Sequence, residues 1–249
     1  MNDVSGTGRF LSAEWRFLAM LNYAVDPMVL QPYLPNGTEL DTWQGHHYVS
    51  IVGFQFLDTR VLGMPIPFHR NFEEVNLRFY VRRKAAEGWR RGVVFVKEIV
   101  PRWAIAATAR VIYNENYVAR KMRHRLERRG DAPNLLRPDS DVEYGWREDG
   151  HWQSLRVTIT GDAQPVSPGS EAEFITEHYW GYAAQRDGSC VEYQVEHPSW
   201  LVWQCRAASL TCDVARVYGA RFAAALERPP SSTFVAAGSP IVVRRGAKI

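Results

Sequence analysis

Cysteine is scarce in this 249-residue chain: Cys190, Cys205 and Cys212 are the whole complement, with no C-x-x-C and no metal-ligand spacing. An odd number of thiols, with no basic start followed by an apolar stretch in "MNDVSGTGRFLSAEW", argues against a secreted disulfide scaffold and for free thiols in the cytoplasm. No apolar run reaches the ~18–20 residues that a membrane helix requires. Phosphate-cradling glycine signatures are missing, as are H-E-x-x-H and G-x-S-x-G. His46 and His47 are adjacent, so a strand would point them to opposite faces, a poor start for a metal site. No metal and no cofactor is expected.

Charge of one sign is also lacking. Thirty basic residues stand against twenty-seven acidic ones, for a net charge of +3. The densest basic run, "ARKMRHRLERR" at 119–129, reads as a solvated face rather than a nucleic-acid surface. Aromatic residues are plentiful at 12%, with nine tryptophans, and suit either a filled β core or an aromatic-lined cleft. Exposed aromatic edges would admit a homo-oligomer.

Strand patterns dominate. "EWRFLAMLNYAV" reads as a strand, with a helix as its alternative, "HHYVSIVGFQFLDTRV" reads as a strand, and Asp26 with Pro27 starts a short helix that ends by Pro35-Asn36-Gly37. "VNLRFYVRRK" and "RRGVVFVKEIV" form a hairpin about Glu87-Gly88. In the first of these, Val75, Leu77, Phe79 and Val81 face one way and Asn76, Arg78, Tyr80 and Arg82 the other. "WAIAATARVIY" fits helix or strand. Asp149-Gly150 marks a second hairpin, "ITGDAQPVSPGSEAEF" a loop, and "FITEHYWGYAAQ" with "CVEYQVEHPSW" a third hairpin about Arg186-Asp187-Gly188. Asp213 opens a helix with Val214, Val217, Tyr218, Phe222 and Ala225 on one face, stopped by Pro229-Pro230. "SPIVVRR" is the last strand. With no linker and no repeat, residues 1–249 read as one α+β domain, mainly antiparallel β, after a flexible start at 1–9.

The residues of chemical interest are ionisable groups set in apolar or aromatic runs. Glu74 begins the "VNLRFYV" strand, Glu177 shares a face with Ile175 and Tyr179, and His197-Pro198 marks a sheet edge or bulge. Lys121 beside Arg120 is either one more surface charge or, if its segment runs inside, a desolvated amine of lowered pKa able to attack a carbonyl.

Several stretches in order, "LPNGTELDTWQGHHYVSIVGFQF", "FEEVNLRFYVRR", "RGVVFVKEI", "ARVIYNENYVARKM" and "FITEHYWGY…VEYQVEHPSWLVW", resemble the DUF2071 family of YqjF-like uncharacterised bacterial proteins. The resemblance runs from about Leu11 to the last strand. Its most specific pieces are E-x-N-x-R-x-Y-V at Glu74–Val81, T-E-x-Y and H-P-x-W. That family is related to the acetoacetate decarboxylase superfamily, which implies a curved antiparallel sheet closing into a cone-like barrel with a few flanking helices.

The superfamily's reactive lysine forms a Schiff base with a β-keto acid, a second lysine depresses its pKa, and a glutamate and an arginine assist. Aligned without a gap, Arg120 takes the Schiff-base position and Lys121 the helper's, and arginine cannot form that imine. A shift of one residue makes Lys121 the nucleophile beside Arg120. Glu74 matches the pocket glutamate, and no arginine has a matched counterpart.

Three functions follow. The first is binding of a small anionic or carbonyl-bearing ligand in an aromatic-lined pocket, with Arg78, Arg120 and Lys121 as cations, Glu74 and Glu177 as carboxylates, and Tyr179, His197 and Trp200 as wall. The second is a Schiff-base lyase acting on a β-keto acid through Lys121 and Glu74. The third is a structural or interaction protein whose interior is wholly filled by its own side chains.

Overall fold

The computed structural model describes residues 8–65, 69–101 and 116–249. Among the described residues fifteen strands join in one hydrogen-bonded sheet that is mainly antiparallel. Along the chain these are β1 Arg9–Val25, β2 Glu39–Leu40, β3 His47–Val61, β4 Met64–Pro65, β5 Phe72–Ala85, β6 Gly88–Val100, β7 Tyr117–Ala119 and β8 Met122–Leu126. Then come β9 Asp141–Glu148, β10 His151–Pro165, β11 Trp180–Ala184, β12 Cys190–Glu196, β13 Leu201–Thr211, β14 Ser232–Arg244 and β15 Ala247–Lys248. The described helices are short: α1 Pro27–Leu30, continued by a 3-10 turn at Gln31–Tyr33, α2 Glu171–Thr176, α3 Val214–Val217 and α4 Ala220–Leu226.

The long path through the sheet is β15-β12-β11-β6-β5-β3-β1-β14-β13-β10-β9-β8. A short β12–β14 pairing, Val195 with Val243 and Glu196 with Val242, returns the path from β14 to β12 on itself. The strands from β13 to β8 continue beyond this ring.

Alternation on β5 separates two interiors. Val75, Leu77, Phe79 and Val81 enter a core cluster shared with Tyr144, Trp146, Leu155 and Val157 of β9 and β10 and with Val217 and Phe222 of α3 and α4. Each such side chain, fully buried, contributes about 1.5–3 kcal/mol. The opposite face meets a second cluster, built on Phe54, Phe56, Phe72, Phe174, Ile175 and Trp200. Close approach holds the first core together: a Cβ on Gly53 would lie 2.7 Å from the Tyr144 ring, so only glycine lets β9 pack there. The Tyr144 hydroxyl donates to the Phe17 carbonyl at 2.9 Å, where β1 is irregular between Arg16 and Ala19 and Phe17 holds φ 56°.

Most of the expected elements are found: α1 with Asp26 accepting from Met28 N at 2.8 Å, the β5–β6 hairpin closing from Ala85 to Gly88, and the β9–β10 and β11–β12 hairpins. Four expectations are corrected. The loop over 159–174 is mostly ordered structure, because β10 runs on to Pro165 and α2 starts at Glu171, capped by Ser170 accepting from Glu173 N. Residues 174–179 are therefore not strand, and Glu177 is the C-cap of α2. The single late helix is two, because Gly219 takes φ 101° between α3 and α4, a conformation a side chain disfavours. "LVWQCRAASLT" forms β13, which no turn pair announces, and the last strand begins seven residues earlier than "SPIVVRR" implies, at Ser232. "WAIAATARVIY" lies outside the described residues, as do residues 1–7, and β1 starts with Arg9 paired to Arg244.

Candidate functional site

The polar face of β5 is buried. Glu74 (2% exposed), Asn76 (2%) and Arg78 (8%) project on the same side as Tyr80, and the first three line a cavity of about 200 Å³. Across β6, Glu98 stands opposite Asn76 and also lines it. The rest of the wall is largely aromatic. Trp15 meets Phe54, Phe56 and Trp200 edge-on with centroids 5.5, 5.8 and 6.4 Å apart, Phe56 stacks on Phe72 at 4.7 Å, and Phe95, Tyr117, Trp180 and Tyr193 complete much of it.

Register explains the arrangement. β3 sets Phe54 opposite Glu74, Val52 opposite Asn76 and Ser50 opposite Arg78, so each polar residue of β5 emerges beside an apolar or small neighbour. Asn76 donates from Nδ2 to Glu74 Oε1 at 2.9 Å, and the Tyr117 hydroxyl lies 3.5 Å from Glu74 Oε2. Arg78 donates from Nη2 to the Ile175 carbonyl at 3.3 Å and lies over the Tyr80 ring, 5.6 Å from its centroid. Among the described residues no carboxylate comes within ion-pair distance of Arg78. Taking a guanidinium out of water without a counter-charge costs several kcal/mol.

Helix α2 and the residues after it form another wall. Ile175, Thr176 and His178 line the cavity, and Phe174 packs on Tyr80 and His178 at 5.3 and 5.1 Å. His178 is enclosed, with Nε2 3.3 Å from Asp41 Oδ2, and Arg91 Nε holds the same carboxylate at 2.7 Å. Burial pushes the His178 pKa down to about 4, with Arg91 and Arg78 adding to the effect and Asp41 opposing it. Burial alone would raise Asp41, but its bonds from His178 and Arg91 outweigh that and bring it to about 2. At neutral pH the pair is thus a neutral imidazole beside an ionised carboxylate.

Of the eight residues marked out in the sequence, the structure brings four to the cavity: Glu74, Arg78, His197 and Trp200. His197 stacks on Trp200 at 4.2 Å, donates from Nδ1 to the Pro198 carbonyl at 2.9 Å, and has its pKa lowered by burial. Trp200 is fixed by Nε1 donating to Ser239 Oγ at 2.9 Å. Tyr179 and Glu177 stand behind His197 rather than on the cavity. The Tyr179 ring lies 4.7 Å from His197, its hydroxyl donates to Glu177, and Ser199 donates to the same carboxylate at 3.1 Å. Burial first, then that bond, pushes the Tyr179 pKa up to about 12.

Arg120 and Lys121 lie apart from this group. Arg120 makes a two-pronged ion pair with Glu148, at 2.6 and 2.9 Å, and these bonds raise its pKa. Lys121 is exposed between β7 and β8. The β7 residues that pack on the cavity's apolar cluster are Tyr117 and Ala119. None of the chain's lysines, Lys84, Lys97, Lys121 and Lys248, lines the cavity. Among the described residues no cluster of three or more His, Cys, Asp or Glu is placed to hold a metal ion, and no helix is long and apolar enough to cross a membrane.

Sequence reasoning passed over Glu98, His178, Asp41 and Trp15. For Glu98 a signal exists: a lone carboxylate inside "VVFVKEIV". For His178 and Asp41, 137 residues apart, only the fold makes them neighbours.

A mainly antiparallel sheet with a few short helices has solved counterparts among acetoacetate-decarboxylase-like structures. The structure is similar to acetoacetate decarboxylase of Legionella pneumophila, with a TM-score of 0.65 and 14% identity over 98% of this chain and 88% of that one. It is also similar to the enduracididine biosynthesis enzyme MppR complexed with pyruvate, with a TM-score of 0.66 and 11% identity over 99% of this chain and 93% of that one. At such identities the likeness shows the fold alone. The chain belongs to the DUF2071 family of uncharacterised conserved proteins, whose pattern it matches over residues 12–240. It is 24% identical over 207 residues to the uncharacterised protein YqjF of Bacillus subtilis strain 168, covering 82% of this chain and 80% of that one.

Proposed function

We propose that this chain is a single-domain cytoplasmic protein whose sheet closes, cone-like, around a site that binds a small organic anion through Arg78. The observation that carries the reading is the Arg78 guanidinium, 8% exposed on the wall of the cavity, with no carboxylate at ion-pair distance among the described residues. A ligand carboxylate would supply the missing counter-charge in a site of low dielectric, where that attraction is strong. The aromatic wall gives the occupant's carbon skeleton an apolar bed, and about 200 Å³ suits a molecule smaller than the ligands of typical ~300–1,000 Å³ sites. The MppR complex with pyruvate supports a small organic acid as the kind of occupant this fold accepts.

An interior filled by its own side chains, which a purely structural protein calls for, does not agree with the cavity. The lyase reading asks for an amine at the cavity, and Lys121 stands outside it. Calorimetric titration with 3-phenylpropionate and with its neutral amide tests the proposal. The acid should bind at least tenfold tighter than the amide to the natural chain, and the preference should vanish in Arg78→Met. Equal binding of acid and amide, or an acid preference that survives in Arg78→Met, would overturn it.

A further inference from the structure

Several buried polar atoms on cavity-lining residues have no hydrogen-bond partner among the described residues. They are Trp15 Nε1, Thr59 Oγ1, Asn76 Oδ1, Arg78 Nε and His178 Nδ1. Such atoms are uncommon inside a folded protein, and a buried acceptor without a donor costs about 1–3 kcal/mol. Here they gather at one cavity and carry both signs: donors on Trp15 and Arg78, acceptors on Asn76 and His178.

The His178 acceptor is the most firmly fixed. A carboxylate can only accept, so the Asp41 contact places the ring proton on Nε2 and leaves Nδ1 with a lone pair. Arg91 pins Asp41 from the other side, and the imidazole is packed between Tyr80 and Phe174, with centroids at 4.8 and 5.1 Å, so it cannot turn to exchange its two nitrogens cheaply. Its depressed pKa keeps it neutral over the physiological range. Arg78 lies over the same Tyr80 ring, and its charge reaches the imidazole. One cavity wall therefore carries a cation and, buried within it, an oriented neutral acceptor.

Resting on the anion-binding reading above, we infer that the occupant is a hydroxy acid, its carboxylate on Arg78 and its hydroxyl donating to His178 Nδ1, with Asp41 the residue that positions the ring. A plain acid leaves Nδ1 unmatched. A keto acid offers only acceptors to it. A protonated amine would bring a second cation beside Arg78.

The test is titration of the full chain at pH 7 with each enantiomer of 3-phenyllactate and with 3-phenylpropionate, which differ by one hydroxyl. One enantiomer of the hydroxy acid should bind about tenfold tighter than the plain acid, and in His178→Phe the two acids should bind alike. The ¹⁵N resonance of His178 Nδ1 in the natural chain reads the same contact without substitution, and it should move with 3-phenyllactate and not with 3-phenylpropionate. Equal affinity for the two acids, with Nδ1 unmoved, overturns the hydroxy-acid inference while the anion reading stands. If neither acid binds at all, the anion reading is overturned and this inference with it.

Discussion

The Arg78 guanidinium donates to the backbone carbonyl of Ile175 across 3.3 Å, tying β5 to the end of α2 with a charged group that has no carboxylate partner among the described residues. A natural chain that keeps such a group bears its desolvation cost for some return. Replacing Arg78 with methionine, of similar length and no charge, should leave stability unchanged or raise it by up to about 1–4 kcal/mol, while removing acid binding. Thermal unfolding of Arg78→Met, run beside the titration, checks this. A large loss of stability would mean that the bond to Ile175 matters more than the buried charge.

Acid should weaken the fold in two stages. His178 titrates at about 4 in the folded chain against 6.5 unfolded, so between these values the unfolded chain holds more protons and stability falls as pH drops from about 6.5 to 4. At about 1.4 kcal/mol per unit the loss is on the order of 3 kcal/mol. Asp41 behaves differently: depressed from 3.8 to about 2, its contribution is complete above 3.8 and is lost as pH falls toward 2. Urea unfolding at a series of pH values should show the first stage in full in the natural chain and a smaller one in His178→Gln, which retains a donor for Asp41 and leaves the buried His197 to titrate.

Gly238 sits in β14 with φ 76°, and a Cβ there would run into the Trp15 carbonyl of the paired strand β1. Both the backbone conformation and the contact oppose a side chain, so Gly238→Ala should cost about 1–3 kcal/mol. For a chain of this size that lowers the melting temperature by roughly 3–10 °C. Because Trp15 lines the cavity, acid binding should weaken as well.

Borohydride reduction in the presence of acetoacetate or pyruvate should leave Lys121 unmodified, since its side chain is exposed and away from the cavity. Peptide mass spectrometry reads this directly. A reduced adduct on Lys121, absent from Lys121→Ala, would restore the lyase reading.

Much of the fold was legible because period-two alternation and turn pairs such as Glu87-Gly88 and Asp149-Gly150 are local signals. The two faces of β5 were read correctly, but alternation of this kind does not tell water from cavity. Glu74, Asn76 and Arg78 form a polar stripe that looks solvent-facing and is buried. Glu177 was misplaced for a related reason: apolar and aromatic neighbours suggested a strand, whereas Ser170 capping started a helix there. Lys121 drew attention through its sequence neighbours, yet its position is set by where β7 ends, at Ala119. The Asp41–His178 pair lies beyond any local reading, since its members are 137 residues apart, with strands β3 to β10 between them, and only the fold brings them together.

The most direct test of anion binding at Arg78 is a crystal structure of the chain soaked with 3-phenylpropionate. The account predicts its carboxylate within hydrogen-bond distance of the Arg78 guanidinium, with the phenyl ring against the wall formed by Trp15, Phe56 and Trp200. An acid bound elsewhere, or a cavity whose Arg78 remains unengaged at saturating acid, would contradict it.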